Sequence, residues 1–124
     1  MPIFNVQSDT PYTDAGNVRR TNYAAWVTNS TEAQRIKTVV EQATQGMGYV
    51  ITANNVGNLN PVDGILRVLQ SWDEWPSDPG FKRFFFEGAF ETDAERDTAA
   101  GNIPAGRTRE DSNFVILTDG EWDA

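Results

Sequence analysis

Apolar residues recur at clear helical spacing in one place only. Ala33, Ile36, Val39, Val40 and Ala43 form a stripe between the turn formers Asn29-Ser30-Thr31 and Gln45-Gly46-Met47-Gly48. This spacing predicts an amphipathic helix from about Thr31 to Gln45, opened by a capping box of Thr31 with Gln34. Glycine closes it, because it takes the left-handed conformation of a helix end without steric cost. Elsewhere the dominant period is two. From Phe81 to Thr92, residues Phe84, Phe86, Gly88 and Phe90 share one face and Arg83, Phe85, Glu87 and Glu91 the other, as in a half-buried strand. Ile65 to Trp72 sets Leu66, Val68, Gln70 and Trp72 against Ile65, Arg67, Leu69 and Ser71 and reads as a second strand, with a short helix as the competing reading. Tyr49–Thr52, rich in aromatic and β-branched side chains, reads as a third.

The remaining segments give weaker signals. Residues 1–28 mix short apolar pieces such as Ile3-Phe4-Asn5-Val6 with turn formers such as Ser8-Asp9-Thr10-Pro11 and Asp14-Ala15-Gly16-Asn17. They predict an extended N-terminal arm with Phe4 and Val6 on one face, anchored through Tyr23 and Trp26 on its own domain or on a neighbour. Turn residues crowd the stretch from Asn54 to Gly64, which predicts a loop. Asp93 to Asn113 has little apolar content and reads as a long excursion with a capped turn at Thr92–Glu95. Phe114–Thr118 reads as a buried strand and Asp119–Ala124 as an acidic tail. Together the pattern predicts an α+β fold: one principal amphipathic helix packed on a mostly antiparallel sheet of four to five strands. It forms one domain over residues 29–124, with an extended N-terminal arm and long loops. No internal repeat and no domain linker is visible.

Composition sharpens this picture. With 124 residues, 39% hydrophobic and 11% aromatic, the chain can bury one core. Its net charge of -8 is unevenly placed: residues 1–70 carry five acids and five bases, whereas residues 71–124 carry thirteen acids and five bases. Such a field repels phosphate backbones and anionic lipid, so neither direct nucleic-acid contact nor membrane binding is expected. The chain contains no histidine and no cysteine. Imidazole proton transfer, imidazole or thiolate metal ligation and thiol nucleophiles are therefore not available to it. No apolar run reaches membrane-spanning length and no secretion signal opens the chain, so a virion or host-cytoplasm location is expected.

Candidate chemistry is sparse. Asp73, Glu74, Glu87 and Glu91 are the carboxylates available for an acid–base pair, but alternating glutamates on a polar strand face are ordinarily solvated. Asp93, Glu95 and Asp97 begin like a calcium loop. Thr98 then stands where that loop needs glycine, and Pro104 where it needs glutamate. No phosphate-cradling glycine motif is present, and no cofactor is expected. The richest constellation is Trp72-Asp73-Glu74-Trp75-Pro76-Ser77-Asp78-Pro79-Gly80-Phe81. Trp72 and Trp75 either cap the core or anchor a partner, and Trp122 carries the same ambiguity. The candidate interface comprises Phe4, Tyr23, Trp26, Trp72, Trp75, Phe85, Arg107, Arg109 and Trp122. The expectation is a non-enzymatic structural or assembly subunit, such as an accessory virion protein of decoration, cement or adaptor type. Its partners would be other protein subunits, in a homo-oligomer or a large assembly. The alternative is a small acidic inhibitor or nucleic-acid mimic that fills a basic groove on a target protein.

Overall fold

The computed structural model describes residues 1–11, 18–74 and 82–117. It is α+β, with two helices and two three-stranded antiparallel sheets. Strands β1 (Pro2–Pro11) and β2 (Val18–Val27) lead into helix α1 (Ser30–Ala43) and strand β3 (Val50–Asn58). Strands β4 (Ile65–Glu74) and β5 (Lys82–Phe90) lead into helix α2 (Asp93–Ala100) and strand β6 (Thr108–Val115). The first sheet runs β2-β1-β3 and the second β5-β4-β6, each with its earliest strand in the centre.

The chain therefore holds one ββαβ pattern twice, and the correspondence extends to single residues. Phe4 pairs with Val27 as Arg67 pairs with Phe90, and Ser8 with Asn22 as Ser71 with Phe85. Each counterpart lies 63 residues further on. The register shift between Val6 and Gln7 recurs between Leu69 and Gln70, at the same displacement. In the third strands the displacement is 58: Asn5 pairs with Asn54, and Val68 with Ser112. The five residues lost between second and third strand fall in the helical segment, where α1 has 14 residues and α2 has 8. Both helices are capped alike. Asn29 Oδ1 accepts a hydrogen bond from the Glu32 amide, and Thr92 Oγ1 accepts one from the Glu95 amide. The cap of α1 is thus Asn29 rather than Thr31.

Two apolar layers result. Val6, Ala25, Val27 and Ile51 of the first sheet pack under Ala33 and Ile36 of α1, with Phe4 and Val40 at the margin. On the opposite face, Ile3 and Trp26 meet Leu66 and Val68 of the second sheet, flanked by Tyr23, Val56, Ala89 and Phe114. The order is helix, sheet, sheet, helix. Residues 2–11 and 18–27, expected as part of an extended arm laid on its own domain or on a neighbour, instead form a hairpin whose first strand is the middle of a sheet. Burial of Ile3 and Val6 on opposite faces explains this: a strand covered on both sides loses the alternation that marks a half-exposed one.

Three further expectations change. Asn54–Asn58 continues β3 instead of forming a loop, and Asp93–Val115 holds α2 and β6 instead of an excursion. The final apolar segment is not uniformly buried, since Val115 is exposed. In β5 the register shift opposite Leu69/Gln70 inserts Glu87 and reverses the alternation. Ala89, rather than Gly88 and Phe90, then faces the first sheet. Gly88 adopts φ +152, and a Cβ there would stand 2.7 Å from Cζ of Phe90, whose ring covers the glycine. Gly88→Ala is expected to cost about 1–3 kcal/mol, read as a lower urea midpoint at unchanged slope.

Candidate interaction surface

The central aromatic cluster joins the two sheets. Trp26 is 1% exposed, and its ring centroid lies 5.2 Å from Tyr23, 5.7 Å from Phe114 and 6.3 Å from Phe86. Tyr23 stands edge-on to Phe86 and Phe114, and Gln70 Nε2 donates to its hydroxyl at 2.8 Å. Burial, reinforced by the charge of Asp9, pushes the Tyr23 hydroxyl well above its ordinary pKa and keeps it neutral. Phe86 differs from its neighbours: its ring belongs to the cluster, yet the residue is 45% exposed. It lines a cleft of about 520 Å³ between Asn5, Asn54 and Val56 of the first sheet and Gly88 and Phe90 of β5.

The outer face of the second sheet carries a different set. Arg107 stacks 3.7 Å from the centroid of the Phe85 ring, with Arg83 at 5.3 Å. Arg107 also pairs with Glu87 at 3.4 Å, and Ser71 Oγ donates to the same carboxylate at 2.7 Å. Arg83 makes two 2.9 Å hydrogen bonds to Asp73 and holds that carboxyl below its usual range. On the opposite face of the same strands, in line with Val68 and Gln70, Lys82 Nζ lies 4.2 Å over the ring of Trp72. By register, Phe85 corresponds to Asn22 of the first sheet. Helix α1 spans roughly 21 Å and α2 roughly 12 Å at 1.5 Å per residue, so the shorter helix shelters less of its sheet.

The acids singled out in the sequence are dispersed among cations and amides. Asp93 meets Arg67 and Arg96, Asp97 meets Arg109, and Glu95 accepts from Thr92 Oγ1 at the helix cap. Glu91 accepts from the Asn60 amide. Arg67 grips Asp63 and lowers its pKa from 3.8 to about 2. Among the described residues no three acids converge as a metal site, and no helix is long and apolar enough to cross a membrane.

Of the nine residues expected at an interface, the structure brings Tyr23 and Trp26 together, and separately Phe85 and Arg107. Phe4 packs beside α1, Trp72 lies under Lys82, and Arg109 pairs with Asp97 and Asp111. Trp75 and Trp122 lie outside the described residues. Sequence reasoning missed Phe86 as a surface residue because unbroken alternation assigned it to the core face. It also missed Arg96, a 7% exposed cation on a helix with almost no apolar stripe. No protein-family model matches the chain, and no curated protein or solved structure matches it either.

Proposed function

We propose that this protein is a non-enzymatic structural or assembly subunit acting through protein–protein contacts, as an accessory virion protein of decoration, cement or adaptor type would. The observation that carries the reading is Phe86. Nearly half of the residue is open to solvent while Tyr23 and Trp26 fix its ring from behind. An aromatic held in one orientation loses little entropy on docking, and such residues are the usual anchors of protein interfaces. The cleft beside it, walled by Val56, Ala89 and Phe90, offers a partner apolar surface continuous with the ring.

The test is the mass of the purified protein in solution at low salt and at about 1 M salt, where charge attraction is screened within about 3 Å. An oligomer that survives high salt, and that Phe86→Ala weakens by roughly tenfold or more, is the expected result. A monomer under both conditions would sink the reading. Salt-sensitive capture of a basic protein by that monomer would establish the acidic-inhibitor alternative in its place.

A further inference from the structure

We infer that the free edge of β3 is the self-association edge, where a second copy of this chain adds its own β3 antiparallel to form one sheet across both copies. The inference rests on the assembly reading and names its interface. Among the described residues β3 pairs with β1 alone, so its other side presents unpaired backbone N–H and C=O groups. Sheet edges of soluble proteins are normally guarded by charges or proline. Two of the other lateral strands follow that rule: β5 carries Lys82, Arg83 and Glu87, and β6 carries Arg109, Glu110 and Asp111. Part of the β2 edge is also occupied, since the Leu117 amide donates to the Trp26 carbonyl at 2.8 Å. The nine residues of β3, Val-Ile-Thr-Ala-Asn-Asn-Val-Gly-Asn, include no charge and no proline.

Three observations select a second copy as the occupant. An antiparallel strand pair about a twofold axis is self-complementary, so one edge supplies both halves of the ladder. Residues 1–58 carry four acids and four bases, so two first units approach without the repulsion that the acidic second units would impose. The edge also begins at an apolar corner, with Met47 63%, Tyr49 39% and Val50 51% exposed. Pairing about the strand midpoint, Asn54, sets Val50 of one copy against Asn58 of the other and brings this corner toward the half-buried Leu59. Asn54 and Val56 also wall the cleft beside Phe86, so the edge and the aromatic anchor form one continuous surface.

The midpoint makes the test specific, because residue 54 faces its own counterpart in the pair. Asn54→Lys and Asn54→Asp each oppose like charges across the edge and are expected to weaken self-association at least tenfold. An equimolar mixture of the two is expected to recover association, which a folding defect in either variant would not allow. In this cysteine-free chain, Asn54→Cys is expected to form a disulfide-linked dimer on mild oxidation. Ser112→Cys, at the matching position of the charged β6 edge, is expected to remain uncrosslinked. An oligomer that persists in both charged variants without Asn54→Cys crosslinking overturns the β3 edge and leaves the assembly reading standing. A wild-type monomer at low and high salt overturns both.

Discussion

Trp26→Ala is expected to remove about 3–5 kcal/mol of stability, the largest single-residue loss in the described structure. Trp26 is fully enclosed and touches both sheets: it sits on β2, pairs with Asn5 of β1, and packs against Leu66, Val68 and Phe114 of the second unit. Truncation opens a cavity at the seam between two thin layers, and neither sheet can collapse into it without losing contact with its own helix. A domain of this size is held by about 5–15 kcal/mol, so the variant gives up a large share of the total. Urea unfolding followed by far-ultraviolet dichroism measures it. Trp26→Phe is expected to cost clearly less, because a ring remains and the indole N–H finds no hydrogen-bond partner among the described residues. A loss under about 1 kcal/mol for Trp26→Ala would contradict the placement of this ring in a shared core.

Arg96→Ala is expected to cost about 1.5–3 kcal/mol. The guanidinium reaches from α2 to the Val68 carbonyl at 3.4 Å, the Ser112 carbonyl at 3.1 Å and Asn113 Oδ1 at 2.8 Å, joining β4 to β6. Its position corresponds to Ala33 of α1, which sits directly in the apolar layer. All three contacts come from Nη1, so the shorter helix grips its sheet through one guanidinium nitrogen where the longer one uses methyl groups. Nη2 meanwhile donates to Asp93 at 3.4 Å, and the single ammonium of lysine cannot serve both the sheet and that carboxylate, so Arg96→Lys is expected to recover only part of the lost midpoint. Full recovery by lysine would show that charge alone, paired with Asp93 or Asp111, accounts for the contribution.

How far the fold was legible follows from where each residue's burial leaves a mark on the pattern. The helix around Ala33 and Ile36 and the strand β5 are half-buried elements, and their periods are plain; β4 is buried on both faces from Val68 to Ser71 and is marked as a strand mainly by its aliphatic residues. Strand β1 is covered on both faces, so Ile3, Asn5 and Val6 show no alternation. Helix α2 buries chiefly Arg96, a residue that hydropathy counts as surface. The register shift at Glu87 turned a correct strand into a wrong face for Phe90. The repeat left almost no trace in residue identity: the paired central strands share Gln7 with Gln70 and Ser8 with Ser71, while Phe4 answers to Arg67 and Asp9 to Trp72. What the halves have in common is backbone pairing, which many side chains satisfy. The candidate surface was legible in its aromatic character and illegible in its geometry, since Phe85 and Phe86 are neighbours in sequence and point to opposite faces.

The self-contained pairing of each half bears on how the protein comes off the ribosome. Every strand of the first sheet, and the helix that covers it, has been synthesised by Asn58, before any of β4 exists. The nascent chain can close its first layer early, with only the inward side of Ile3 and Trp26 waiting for Leu66 and Val68 to arrive.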